Sequence, residues 1–196
     1  MSGTQEAAEA ALYADVWTSV RPYGVLSPGE QSAALFAEWA TPGASVLDAG
    51  CGSGKGGLAL AAHGYAVTLC DLTPEGLTPE AERLPFFTQG LWRRIEQPRA
   101  SAAPRYWWDY VFCCDVLEHL PTQYVGLTIT HLLGASRRGL FLTVSNTPDA
   151  FGAWVGRPLH QTVQPFVWWR DTLRELGTVV DARDLVGTSL FLVTPR

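Results

Sequence analysis

Apolar residues recur with two different periods along this chain, and the alternation between them predicts its architecture. Near the N-terminus Tyr13, Val16, Trp17 and Val20 fall at i, i+3, i+4 and i+7, the spacing of one helix face. They predict a helix over 5–19 with Thr4 as its cap. Arg21-Pro22-Tyr23-Gly24 breaks it. Ser27-Pro28-Gly29-Glu30 then combines a serine cap, a first-turn proline and a third-position glutamate, which predicts a helix to about Ala40. After Thr41-Pro42-Gly43, short apolar runs and helical patterns alternate. Strands are expected at 45–49, 66–70, within 85–92, at 109–114 and at 139–145. Helices are expected at 55–63, 121–133 and 165–176, with Gly64 and Gly177 closing the first and last. Two final strands, near 178–183 and 188–194, flank a turn containing Gly187. Residues 72–83 and 146–165 are interrupted by proline and predict no regular element. A structureless stretch as long as 146–165 is usually functional.

Alternating strands and helices predict a parallel sheet with helices on both faces, and the C-terminal hairpin adds an antiparallel strand. With 196 residues and 47% hydrophobic content, one domain is expected over 1–196, comprising a helical cap segment (1–40) and an α/β core (44–196). The net charge of -5 and the 17% charged content are a poor footprint for long nucleic acid, which needs clustered Lys and Arg. No apolar run is long enough for a bilayer, and residues 1–12 do not resemble a secretory leader. Cys51, Cys70, Cys113 and Cys114 fall in or beside expected buried strands without zinc-like spacing, as small core hydrophobes do. A cytoplasmic setting follows as the expectation.

The densest chemical signal is Val46-Leu47-Asp48-Ala49-Gly50-Cys51-Gly52-Ser53-Gly54, a buried strand entering a glycine-rich loop ahead of a helix. Such a loop lets backbone approach a ligand, and the helix N-terminus aims free N–H groups at it. Three readings compete. A phosphate-cradling loop fails, because Ala49 and Gly56 occupy two of its required positions. Gly52-x-Gly54-x-x-Gly57 with Asp71 downstream matches the dinucleotide fingerprint, so an NAD(P)-binding enzyme stays as an alternative. The third reading uses more residues. Asp48-x-Gly50-x-Gly52-x-Gly54, followed by a strand ending at Asp71, resembles motif I and the strand-two acid of the class I S-adenosylmethionine-dependent methyltransferases. An acid ahead of the loop suits a cationic cofactor and suits a pyrophosphate badly. A second block, Asp115-Val116-Leu117-Glu118-His119-Leu120-Pro121, resembles the run after strand four of many small-molecule members. Read alone, the same block is a capping box, Asp115 capping and Glu118 closing it.

The resemblance spans about residues 25–194 and implies a Rossmann-like, doubly wound, seven-stranded, mostly parallel sheet with an antiparallel last strand. It implies S-adenosylmethionine as cofactor, with Asp48, Gly50, Cys51, Gly52 and Gly54 around its methionine part and Asp71 on the ribose hydroxyls. Leu72 and Leu91 or Trp92 would border the adenine, and Asp115 and Val116 would line the rim. Arg21 and Tyr23 resemble the residues with which relatives hold the cofactor carboxylate. Asn146 is placed on the same rim. Tyr13 and Trp17 either roof the cofactor or pack in the core, and the core is the expectation for at least one of them. Of the eight tryptophans, which include the pairs Trp107-Trp108 and Trp168-Trp169, only Trp154 and Trp168 are assigned to the substrate.

The implied activity is methyl transfer to oxygen or nitrogen of a small molecule. His119 and His160 are candidate bases, with Asp115 beside them, while His63 and His131 are expected to be bystanders. Asp115, Glu118, His119 and His160 also resemble the metal-assisted arrangement of small-RNA 3′-end 2′-O-methyltransferases and of some ubiquinone-pathway enzymes. A divalent metal, with an RNA end or nucleotide as acceptor, is therefore the alternative. The acceptor and the oligomeric state are not written in the chain.

Overall fold

The computed structural model describes residues 3–21, 23–25, 27–95 and 108–196; Pro22, Trp107 and the segment 96–106 lie outside them. Seven strands form one sheet: β1 (Ser45–Ala49), β2 (Ala66–Asp71), β3 (Phe86–Thr88), β4 (Trp108–Cys114), β5 (Ser136–Ser145), β6 (Thr178–Leu185) and β7 (Thr188–Thr194). Their order is β3-β2-β1-β4-β5-β7-β6. The first five are mutually parallel, and β7 runs antiparallel to both of its neighbours. The strand order reverses between β1 and β4, which is where open α/β sheets bind ligands.

Among the described residues six helices accompany the sheet: α1 (Gly3–Ser19), α2 (Pro28–Trp39), α3 (Lys55–Ala62), α4 (Thr122–Ala135), α5 (Gly152–Val155) and α6 (Phe166–Leu176). Period-two patterning builds a core on each face of the sheet. Val46, Tyr110, Phe112 and Phe141 point to α2 and α3, where they meet Ala33, Phe36 and Leu60. Leu47, Val111, Leu140 and Leu142 point the other way, to Val125, Ile129, Leu132, Trp169 and Leu173 of α4 and α6. Phe36 has no exposed surface and makes edge contacts with Trp39, Tyr65, Tyr110, Phe112 and Phe141. Aromatic edges meeting ring faces in this way add to the area buried.

Several boundaries differ from the sequence pattern for identifiable reasons. Ser27 caps α2 as expected, its Oγ accepting the Glu30 N–H at 3.2 Å. Thr4 lies inside α1 and is no cap. β5 begins at Ser136, three residues before the apolar run. Arg137 and Arg138 occupy its exposed start, where both pair with Asp109, beside a register irregularity between Trp108 and Tyr110. Within the supposedly irregular 146–165 stretch sits the single turn of α5. Among the described residues no helix is long and apolar enough to cross a membrane.

Candidate functional site

A cavity of about 350 Å³ opens beyond the carboxyl ends of β1, β2 and β4. Its floor is the turn after β1. Gly50, Gly52 and Gly54 all adopt positive φ, at 76°, 51° and 73°, so backbone takes the place that side chains would need. A Cβ on Gly50 would lie 2.4 Å from Val116, and one on Gly54 2.4 Å from Ala81. Gly54 is thus a packing residue outside the cavity lining, while Asp48, Gly50, Cys51 and Gly52 line it. Gly57, the last glycine of the dinucleotide fingerprint, packs on Leu69 beneath the turn.

Two carboxylates govern this floor. Asp71 accepts the Gly52 N–H at 2.7 Å and the Leu72 N–H at 2.6 Å. Burial raises its pKa, and the N–H groups of Gly52, Leu72 and Thr73 oppose the rise. Asp48 is 4% exposed, and its Oδ2 has no partner. Burial first, and the charge of Asp71 second, push it up to about 7, against the Gly57 N–H. A buried carboxylate with one oxygen unpartnered, on the lining of a cavity, is a place for a cation.

The roof comes from α1 and from the loop after β5. Trp17 lies in a slot made by three glycines: a Cβ on Gly24, Gly52 or Gly76 would approach its ring to 2.4, 2.8 or 2.6 Å. Trp17 meets Tyr23 edge-on at 4.8 Å, and Tyr23 meets Phe151 at 5.5 Å. Val16, Val20 and Leu159 form a small core beneath this ladder. Glu6 accepts the Trp92 indole N–H at 3.3 Å and pairs with Arg93 at 2.6 Å, while Glu9 pairs with Arg157.

The far wall is the D-V-L-E-H run. Asp115 has φ 52°, the one non-glycine residue at positive φ among those described, a conformation that costs energy and gathers at functional sites. No capping box forms. Asp115 Oδ1 accepts the Thr143 hydroxyl at 2.9 Å, and Glu118 Oε1 accepts the Ser145 N–H at 2.8 Å. The run is a single 3₁₀ turn, Leu117–His119, because both acids are drawn across to β5. Glu118 has no exposed surface, and its Oε2 has no partner. Burial, then Asp115, hold its pKa well above the usual value.

His119 and His160 meet edge-on at 4.7 Å. Tyr13 Oη lies 2.8 Å from His119 Nδ1. Burial and the neighbouring His160 lower His119 to about 3, with the charge of Asp149 and then the Leu159 carbonyl, as a hydrogen-bond acceptor, acting oppositely. His119 is thus neutral, with Tyr13 donating to its Nδ1. His160 Nδ1 lies 2.7 Å from the Thr147 carbonyl, which can only accept, so the Nδ1–H tautomer is the neutral form that fits and its lone pair is on Nε2. Glu118, His119 and His160 each offer a ligand atom within 4.8 Å of the others; Asp115 is not of that group.

The structure thus gathers Asp48, Gly50, Cys51, Gly52, Asp71, Leu72, Leu91, Trp92, Asp115, Val116, His119, His160 and Tyr23 around one cavity. Other expectations fail. Arg21 is exposed and does not line the cavity, because Tyr23 turns inward from the break and leaves it on the outside. Trp154 is 67% exposed, and Trp168 stacks edge-on against Trp169; neither lines the cavity. Asn146 bonds to Ser189 of β7 at 2.8 Å instead of joining the rim. Tyr13 and Trp17 both line the cavity, and it is Val16 and Val20 that serve as core. Glu9, Asp149, Phe151 and Gln161 also line it and carried no motif. For Asp149, Phe151 and Gln161 the length of the loop after β5 is the only signal in the sequence, and Glu9, in α1, has none.

A family model described as a methyltransferase domain matches residues 47–137. The chain is 34% identical over 126 residues to a magnesium-protoporphyrin O-methyltransferase of Synechocystis, covering 62% of this chain and 52% of that one. It is 35% identical over 119 residues to a ubiquinone biosynthesis O-methyltransferase of Xanthomonas campestris, covering 60% and 50%. The chain spans about half the length of these curated relatives. Among solved structures, the Burkholderia thailandensis 1,6-didemethyltoxoflavin-N1-methyltransferase with bound S-adenosylhomocysteine superposes with a TM-score of 0.74 at 18% identity, covering 100% of this chain and 91% of that one. The Synechocystis magnesium protoporphyrin IX methyltransferase with bound S-adenosylhomocysteine gives 0.64 at 21%, covering 92% and 97%.

Proposed function

We propose that the chain is a class I S-adenosylmethionine-dependent methyltransferase and that it methylates oxygen or nitrogen of a small molecule. One observation carries the reading. The glycine turn, Asp48 and Asp71 line the same cavity as His119 and His160, so donor and acceptor have one space in which to meet. The bound cofactor supplies an electrophilic methyl on a sulfonium, and the protein's task is alignment and exclusion of water. The glycine-turn N–H groups and Tyr23 receive its methionine end, Asp48 faces the ammonium, and Asp71 accepts from the ribose hydroxyls. Leu72, Leu91 and Trp92 border the base. At the acceptor end His160 Nε2 takes the proton of a hydroxyl or ammonium acceptor, while His119, already accepting from Tyr13, holds the wall in place. The site is proposed to lie in a single methyltransferase domain spanning 1–196 and to act in the cytoplasm, as the four free cysteines suggest.

Calorimetry with S-adenosylhomocysteine and with NADH tests the cofactor. Binding of the first alone is expected; binding of NADH alone would end the reading. Mass spectrometry of extract incubated with enzyme and deuteromethyl cofactor then identifies the acceptor. A second reading rests on the unpartnered Glu118 Oε2: Glu118, His119 and His160 would hold a divalent cation, which acidifies a bound hydroxyl. Paramagnetic broadening of His119 and His160 resonances by Mn²⁺, at micromolar concentration and absent in His119→Ala, distinguishes it.

A further inference from the structure

Asp149 lines the cavity, yet its carboxylate faces inward to its own loop. Oδ1 accepts the N–H of Phe151 at 2.9 Å and that of Gly152. Oδ2 accepts the N–H of Leu159 at 2.8 Å and that of His160 at 3.1 Å. An ionised carboxylate offers about four acceptor positions, and here four backbone donors fill them. The first pair lies on the outgoing arm of the loop, at the start of α5; the second lies on the returning arm. One side chain therefore closes the ring of residues 149–160. Gly152 allows the closure, since a Cβ there would sit 2.5 Å from the Arg157 carbonyl oxygen.

The returning arm is also sewn to the opposite wall. Gln161 N–H and Thr162 N–H donate to the Glu118 carbonyl at 2.7 and 2.9 Å. Gln161 Nε2 donates to the His119 carbonyl at 2.9 Å. His160 sits between these anchors, its backbone held by Asp149 and its ring by the Thr147 carbonyl.

We propose that Asp149 is the positioning residue for His160. By clamping both arms of the loop it sets the ring against Thr147 and so keeps Nε2, not Nδ1, bare toward the cavity. It acts through His160 and touches neither cofactor nor acceptor, because its acceptor positions are already used. The same clamp explains why a carboxylate, and not an amide, stands here. Asparagine would offer one carbonyl oxygen and would turn its NH₂ against two backbone donors. The proposal rests on the reading of His160 as the acceptor-facing base.

The test is long-range ¹H–¹⁵N NMR of the histidine rings in the full chain at pH 8, with amide hydrogen exchange. In the wild type His160 is expected as the Nδ1–H tautomer, and the amides of Phe151, Gly152, Leu159 and His160 are expected to be protected as one group. Asp149→Asn is expected to return His160 toward the Nε2–H form that predominates in free histidine and to release at least one amide pair. The His63 ring signals should stay as in the wild type. Wild-type His160 in the Nε2–H form, unprotected amides, or an Asp149→Asn protein that keeps the Nδ1–H tautomer would each overturn it. The first two need no variant, so a misfolded substitution does not shield the idea. Failure of S-adenosylhomocysteine to bind the wild type would instead strike the proposed function and leave the tautomer result standing.

Discussion

Asp48 makes cofactor binding a proton-linked event, and the size of the linkage follows from its surroundings. Its carboxyl is lifted from 3.8 to about 7, chiefly by burial and then by Asp71. In the proposed complex the cofactor ammonium faces it and requires the ionised form. The apparent affinity is then reduced by the fraction of protein that must first lose a proton. That factor is about 11 at pH 6 and about 1.3 at pH 7.5, so affinity should rise about eightfold across the interval, or roughly 1.2 kcal/mol. The cofactor's own amino group stays largely protonated over that range. Calorimetry at pH 6.5 in buffers of different ionisation enthalpy should register about 0.8 proton released per site. Asp48→Asn should flatten the pH dependence and weaken binding at pH 7.5. The sign for the free protein is opposite. An acid whose pKa is raised by folding binds more protons in the native state, so it removes stability as pH rises from about 4 through 7. From 3.8 to about 7 the loss is on the order of 4 kcal/mol, and thermal unfolding without cofactor should be easier at pH 8 than at pH 5.5, by a larger margin for the wild type than for Asp48→Asn, in which Asp71 and Glu118 still titrate with raised pKa. Affinity that is level from pH 6 to 7.5 with no proton release would refute the reasoning.

Other residues allow simpler tests. Asp71→Ala removes a charged acceptor from both ribose hydroxyls, at about 1.5 kcal/mol each, and should weaken S-adenosylhomocysteine about a hundredfold by calorimetry; a loss under threefold contradicts the ribose assignment. His160→Ala should cut turnover of the identified acceptor by about 10²–10⁴-fold with cofactor affinity unchanged, and a loss confined to KM would remove it from the proton transfer. Phe36→Ala, emptying a site walled by five aromatic rings, should cost about 3–5 kcal/mol in urea unfolding; a cost below 1 kcal/mol would mean that the core around α2 collapses to fill the space.

What the sequence disclosed about the site sorts by the range of the interactions involved. The turn after β1 was readable because positive φ at Gly50, Gly52 and Gly54 is a local demand that only one residue type meets cheaply. Asp71 was readable because a strand end is fixed by period-two patterning, and β1 and β2 came out within a residue of expectation for that reason. The destination of Trp17 is not legible in the sequence, because a helical stripe tells which residues turn inward and not what they meet. Its destination depends on glycines at 24, 52 and 76, three separate parts of the chain. Trp154 and Trp168 misled for the same reason: ring size says that a side chain wants cover, and for Trp168 the cover is Trp169 and the core.

The D-V-L-E-H block shows why local rules give way here. A capping box would satisfy orphan N–H groups at a helix start, a gain of about 1 kcal/mol. The chain forgoes it and accepts Asp115 at φ 52°, a cost of the same order. In exchange, Asp115 and Glu118 reach Thr143 and Ser145, so the turn is tied to the end of β5, whose next residues carry Thr147, Asp149 and His160. Glu118 uses its backbone for the same purpose, its carbonyl accepting from Gln161 and Thr162. The wall bearing His119 and the loop bearing His160 are thereby one hydrogen-bonded body, which is what keeps two histidine rings 4.7 Å apart on segments far separated in sequence. Strain at Asp115 is then the local cost of holding an acceptor site rigid against a cofactor site built on the neighbouring strand.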